Sequence, residues 1–235
     1  MSTQHNLEFT GERYVPEVHG NIELEHIHRY AQASQLVSGK QVLDIASGEG
    51  YGSALLADFA QHVVGVDISA DAVLHASQRY KKNNLEYRHG SCAAIPLDDA
   101  SVDIVVSFET IEHHDQHDEM MREILRVLKP GGFLLISSPD KLHYSDVPGA
   151  HNVFHVKELY ADEFKQLLSK YFRHSRYYGQ RLIYGSAIFA EDSASGLATY
   201  HRENDVLKSA IGLPSPLYWI AIASNAEIPE FNASF

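Results

Sequence analysis

Short apolar runs alternate with longer amphipathic ones through the middle of the chain. Gln41 to Ala46, His62 to Asp67, Leu85 to Arg88, Val102 to Phe108 and Phe133 to Ser138 each have the length and β-branched content of a buried strand. Between them, spacing lengthens to the helical period. Ser53 to Ala60 is apolar and helix-like. Ala72, Val73, Ala76 and Tyr80 recur behind Ser69, a good helix cap, and Met121, Ile124, Leu125 and Leu128 follow i, i+3, i+4, i+7. Pro130, Gly131 and Gly132 close that helix. Tyr160, Phe164, Leu167, Leu168 and Tyr171 stripe another. Strand and helix in turn predict an α/β fold, a doubly wound, mostly parallel sheet with helices on both faces. Ligands of such sheets lie beyond the carboxyl ends of the strands.

The flanks break the alternation. Residues 1–40 precede the first strand and hold an aromatic, charged stretch from Phe9 to Tyr30. They read as an N-terminal arm or lid, 41–172 as the ligand-binding core, and 173–235 as C-terminal strands of the same single domain. Two strand-like pieces, Gln180 to Phe189 and Leu217 to Ser224, bracket a polar, mobile insertion near 190–216.

Composition narrows the function classes. Of 235 residues, 44% are apolar and 21% charged, the balance of an ordinary folded domain. The net charge of −12 argues against nucleic acid or an anionic membrane as a charge-bound partner. A single cysteine, Cys92, excludes an internal disulfide framework. No apolar run approaches the ~20 residues of a membrane span, and Met1 to Thr10 lack the pattern of an export signal, so a cytoplasmic location is expected.

Candidate chemistry collects at the strand ends. After the first strand comes Asp44-Ile45-Ala46-Ser47-Gly48-Glu49-Gly50-Tyr51-Gly52, a turn that brings backbone close to a ligand at a helix start. A dinucleotide fingerprint would have a third glycine where Ser53 stands. Asp44 and Glu49 both place negative charge where a pyrophosphate would lie, and Asp44 would suit a cationic cofactor. Asp67 ends the second strand and can accept hydrogen bonds from ribose hydroxyls, with Ile68 against an adenine face. The plainer role for Asp67 is to brace the helix behind Ser69.

In this order the motifs VLDIASGEGYGSALLA, VVGVDIS, HGSCAAIPLDDASVDIVVSFETIEHH and LKPGGFLLISSPD resemble the class I S-adenosylmethionine-dependent methyltransferases, over about residues 40–172. The resemblance implies a Rossmann-like seven-stranded sheet whose last strand is antiparallel, a place Leu217 to Ser224 suits. It places Asp44 near the methionine ammonium, directly or through water. Ala46, Ser47 and Gly48 lend backbone groups to the methionyl part, Asp67 holds the ribose, and Ile68 holds the adenine. Phe108 and Glu109 border the sulfonium. Ala46 stands where the family usually has its first glycine. Ser91 stands where an acid often reads the adenine amino group, which leaves the Ser91 hydroxyl and the Cys92 backbone for that task. The arm, with Arg13, Tyr14 and His28, would close over the cofactor, and Tyr14 counts among its contacts. The flanking GERYVPEVHGNIELEHIHRY and HYSDVPGAHNVFHVKELYADEF are similar to methyltransferases found with bacterial surface-polysaccharide glycosyltransferases, which implies a small-molecule or glycan acceptor.

Methyl transfer to a hydroxyl also needs a base. His113, beside His114 after the fourth strand, and His151 and His155 in the loop after the fifth, are the candidates, since imidazole titrates near neutrality. Alone, each reads as an exposed or capping histidine, and His26, His28 and His117 read as solvated surface. Glu109, Glu112 and His113 resemble the E-x-x-E-H divalent-cation site of some quinone O-methyltransferases in this superfamily, and carboxylates at a helix start are the plainer account of them. A dinucleotide-dependent oxidoreductase and a binding module without chemistry are the rival classes. The acidic surface and extra C-terminal pieces permit a homodimer.

Overall fold

A computed structural model describes residues 16, 20–183, 198–203, 206–212 and 215–229. Its centre is a seven-stranded sheet in the order β3-β2-β1-β4-β5-β9-β6. The strands are β1 (Gln41–Ile45), β2 (His62–Asp67), β3 (Leu85–His89), β4 (Val102–Ser107), β5 (Leu128–Pro139), β6 (His174–Gln180) and β9 (Tyr218–Ser224). All pairings from β3 to β5 are parallel, and β9 runs antiparallel to both β5 and β6. The strand order reverses between β1 and β4, so a crevice opens there at the carboxyl edge. A separate hairpin, β7 (Ala198–Glu203) with β8 (Val206–Ile211), occupies part of the expected insertion. Residues 190–197, 204–205 and 213–214 lie outside the described residues.

Two apolar layers flank the sheet. One packs Leu43, Ile45, Val64 and Val66 under α4 (His117–Val127) and α5 (Ala161–Tyr171), through Met121, Ile124, Phe164 and Leu168. The other packs Val42, Val63, Ile104 and Ile222 under α1 (Asn21–Ser34) and α2 (Tyr51–Leu56). Each buried aliphatic side chain of this size contributes about 1.5–3 kcal/mol relative to exposure. On α3 (Ala70–Arg79) the Ser69 hydroxyl accepts the Ala72 N–H at 3.2 Å, the expected cap.

Three expectations shift. Of the strand-like piece from Gln180 to Phe189, Gln180 ends β6 and residues 181–183 lie outside any strand. The pattern of β6 was weak because it exposes or half-buries most of its side chains, and residues 184–189 lie outside the described residues. α4 stops at Val127, as β5 begins at Leu128 rather than Phe133. Val102 pairs with Leu128 and Ile104 with Phe133, so Lys129–Gly132 bulges out of the ladder. Gly132 is required there, since a Cβ would stand 2.7 Å from the Asp103 carbonyl oxygen. Finally, the arm contains α1. Its inward residues are Glu25, Arg29, Tyr30, Gln32 and Ala33, too polar to give an apolar stripe. Glu25 and Arg29 find partners on β6 and β9 instead. Arg29 donates to Gln180 Oε1 at 2.8 Å and stacks 4.8 Å over Tyr218, and Tyr218 donates to Glu25 at 3.2 Å. Among the described residues no helix is long and apolar enough to cross a membrane.

Candidate active site

The crevice is a cavity of about 310 Å³ at the carboxyl ends of β1, β2, β3 and β4. That is at the small end of ligand-site volumes, ~300–1,000 Å³. One side is the turn after β1. Ser47 N–H donates to Val66 O at 2.9 Å, and Gly48 N–H to Asp67 Oδ2 at 2.8 Å, so the turn is stitched to β2. Gly50 has φ +97°, and a Cβ on it would stand 2.6 Å from Ala76 Cβ. Ala46 also has positive φ, +60°, and carries strain that a glycine would not.

Asp67 is 5% exposed and lines the cavity. Its Oδ1 accepts the Ser69 N–H at 2.8 Å. These two backbone donors fix the carboxylate at the corner a ribose diol would occupy. Ile68 beside it is 74% exposed, an apolar platform open to the cavity. Gly90, Ser91 and Cys92 follow β3, with Gly90 N–H on Asp67 O at 3.0 Å, and line the same corner. The Ser91 hydroxyl, expected to face adenine, accepts the Ala93 N–H at 3.1 Å.

Asp44 departs from expectation. It is fully buried and absent from the cavity wall. Ser53 donates to it at 2.6 Å and Tyr30 at 3.1 Å, and the Tyr30 ring lies between it and the cavity. Burial pushes its carboxyl up to about 7, against those two hydrogen bonds. Glu49 is likewise occupied. It faces His75 Nε2 at 2.8 Å, Tyr80 Oη at 2.6 Å and Arg79 Nη1 at 3.2 Å. The repulsion of a pyrophosphate by these two acids is therefore weaker than their sequence position suggests.

The opposite wall is aromatic. Tyr30 meets Tyr51 and Phe108 edge-on, at 5.4 and 5.1 Å between ring centres. Gly52 makes room for it, since a Cβ there would fall 2.1 Å from the Tyr30 ring. His26 joins this wall, with Nδ1 2.8 Å from Tyr51 Oη, and burial drives its pKa well down. It is not the solvated histidine its sequence context suggested. Glu109, after β4, has φ +50°. Its N–H donates to Ser137 Oγ at 2.9 Å, the Ser137 hydroxyl donates back to its carboxylate at 2.7 Å, and Arg29 lies 3.5 Å away.

His113 lines the outer end of the cavity, with Nδ1 3.2 Å from Phe154 O. The His155 ring stands edge-on to it at 5.2 Å but sits behind it, its Nδ1 2.5 Å from Glu158 Oε1 and its Nε2 3.0 Å from Asn152 Nδ2. His151 is exposed and off the cavity wall. The expected metal trio is regrouped. Glu109 is engaged by Ser137 and Arg29, and His155 takes its place, so that one ligand atom each from Glu112, His113 and His155 lie within 4.8 Å of one another. His117 is buried, 5% exposed, with Nε2 2.8 Å from both Ile111 O and His114 O. It organises the turn after β4 rather than facing solvent. Tyr14 and Arg13 lie outside the described residues. Sequence reasoning missed Tyr30, Tyr51, Thr110 and Gln116 as cavity residues. Tyr30 had one usable signal, its place in the aromatic arm.

Residues 43–136 match the family model described as a methyltransferase domain. Over 170 residues the chain is 40% identical to a probable S-adenosylmethionine-dependent methyltransferase of Mycolicibacterium smegmatis, covering 69% of this chain and 63% of that protein. A probable S-adenosylmethionine-dependent methyltransferase of Mycobacterium tuberculosis is 38% identical over 169 residues, 69% of this chain and 60% of that one. The chain thus spans about three fifths of the length of these curated relatives. In fold it is similar to the YcgJ protein of Bacillus subtilis, with TM-score 0.61 and 17% identity, covering 86% of this chain and all of that one. The PH0226 protein of Pyrococcus horikoshii has TM-score 0.57 and 19% identity, covering 86% and 90%.

Residues 43–136 thus resemble a methyltransferase domain, and they lie in a mixed seven-stranded Rossmann-like sheet. S-adenosylmethionine is the cofactor this domain implies. The residues fit it: a carboxylate anchored for a ribose, an apolar shelf beside it, and an aromatic-lined chamber reaching Glu109 and His113.

Proposed function

We propose that the protein transfers the methyl group of S-adenosylmethionine to a hydroxyl of a small, sugar- or glycan-type acceptor. One observation supports this above the others. A single cavity runs from the Asp67–Ile68 corner past Phe108 and Glu109 to His113, so donor and acceptor ends share one chamber. The sulfonium chemistry itself asks for alignment, and a donor and acceptor held about 3–3.5 Å apart in line gain much of the barrier reduction. Tyr30, Tyr51 and Phe108 would exclude water around the reacting carbon, with Glu109 bordering it. A cofactor supplies the electrophilic methyl; the chain supplies the base. His113, facing the cavity with Nδ1 on the Phe154 carbonyl, would take the acceptor proton at Nε2. The polar outer rim of Thr110, His113 and Gln116 suits a hydroxylated acceptor.

A second account of proton removal rests on the clustering of Glu112, His113 and His155. Two imidazoles and a carboxylate suit a divalent first-row metal, which would lower the pKa of a bound hydroxyl. One experiment separates the two. His113→Ala should slow transfer by about 10²–10⁴-fold with S-adenosylhomocysteine affinity unchanged. If a chelator leaves the wild-type rate intact, the base account stands; if it abolishes the rate and metal restores it, the metal account replaces it. An unchanged rate in the variant overturns both. Absence of any transfer across a panel of hydroxylated acceptors, with cofactor bound, would favour the binding-module class.

A further inference from the structure

The loop after β5 turns polar side chains inward and apolar ones outward. His155 points in, with Nδ1 on Glu158 and Nε2 on Asn152. Its neighbours Val153, Phe154 and Val156 are 77%, 43% and 64% exposed. Single exposed apolar side chains need no explanation, but three within four residues form a patch. The backbone beneath them is fixed. Phe154 N–H donates to Asn152 Oδ1 at 3.1 Å, and Val156 N–H to the Glu112 carbonyl at 2.8 Å. The loop is also bonded to the chamber wall, because His113 donates from Nδ1 to the Phe154 carbonyl at 3.2 Å. The patch therefore begins where the outer end of the chamber stops.

Two further observations say what covers it. The chamber holds about 310 Å³, the low end for a single ligand, so a bound cofactor leaves room for the reacting end of an acceptor and little else. The rest of the acceptor then lies outside, on the rim beyond His113. That rim is polar at Thr110 and Gln116 and becomes apolar at Val153, Phe154 and Val156. The second observation is charge. A net charge of −12 disfavours an anionic bilayer as the occupant and leaves the acceptor's own apolar part.

We propose that the acceptor is an amphiphile, a sugar-type head carrying an alkyl chain, and that Val153, Phe154 and Val156 hold the chain while the head reaches past His113. This inference rests on the hydroxyl-acceptor reading above and adds the apolar part of the acceptor to it. The test is calorimetric titration of the full chain, loaded with S-adenosylhomocysteine, with hexyl, heptyl and octyl glucoside below their micellar concentrations. Affinity should rise by about 2- to 4-fold with each methylene, the upper figure being that of full burial. Val153→Ser combined with Val156→Ser, both on exposed side chains, should flatten the series and leave S-adenosylhomocysteine affinity unchanged. In the wild type, no binding or an affinity independent of chain length overturns the inference, and so does a slope that survives in the double variant. Binding of the patch to neutral phosphatidylcholine vesicles in place of the glucosides, or a wild-type dimer that the double variant breaks, gives the patch to a membrane or a second copy and overturns it too. The hydroxyl reading fails separately: glucosides that bind with the expected slope yet accept no methyl group from S-adenosylmethionine count against that reading and leave the patch standing.

Discussion

Asp44 and Asp67 look equivalent in the sequence, an acid at the end of each of the first two strands, yet they occupy opposite environments. In the sheet Asp44 is level with Gly65, so Asp67 stands two residues further toward the carboxyl edge, about 6.6 Å at strand rise. Asp44 is followed in β1 by Ile45, and lies beneath Tyr30 with Ser53 as its other donor. Asp67 is the last residue of β2 and faces the cavity with two backbone N–H groups fixing its oxygens. The lesson concerns register. A residue's distance along its own strand does not say whether it reaches the ligand edge; its level relative to the neighbouring strand does.

The largest effect expected from this contrast is on cofactor affinity. Asp67→Ala should weaken S-adenosylhomocysteine binding by about 2–3 kcal/mol, two hydrogen bonds to a charged group, whereas Asp44→Asn should change it far less. Calorimetry on both variants reads the difference directly. Equal losses would erase the distinction between the two tips.

A smaller effect should appear in the pH dependence of folding, and only at Asp44. Its carboxyl is raised from 3.8 to about 7 in the folded protein. The folded state therefore holds a proton that the unfolded state has released, and the stabilisation is complete below about pH 4 and lost as pH rises toward 7. Denaturant midpoints of the wild type should carry this decline, worth a few kcal/mol at most by linkage. Asp44→Asn should remove it. A decline of the same slope in the variant would show that another group is responsible.

The smallest effect concerns the turn that joins the two tips. Ala46 holds φ +60°, so Ala46→Gly should relieve about 1 kcal/mol of backbone strain and raise the melting temperature by ~2–4 °C. A lowered melting temperature would mean that the unfolded-state entropy of glycine outweighs the strain.

The same contrast marks what was legible beforehand. The positions of the strands and of most helices in 41–172 follow from apolar periodicity, because the central strands are buried on both faces. Asp67 and Ile68 line the cavity as their place after the second strand suggested, and Gly48, Cys92 and Phe108 line it as the family resemblance implied. Asp44 was misjudged because pairing register is a tertiary property. α1 was missed because its inward face carries Glu25, Arg29 and Gln32, and the burial of Glu25 and Arg29 is compensated by β6 and β9 from the far end of the chain. His155 was found among the loop histidines, but its closeness to Glu112 and His113 depends on the loop after β5 folding back, with Val156 and Lys157 N–H groups on the Glu112 carbonyl. No local pattern encodes such a return.

Competitive titration bears most directly on the central claim, that the chamber beside Asp67 is shaped for an adenosyl sulfur compound. The protein should bind S-adenosylhomocysteine at one saturable site and show no displacement by NADH. Tight NADH binding with no heat from S-adenosylhomocysteine would contradict the assignment and return the fold to the dinucleotide enzymes.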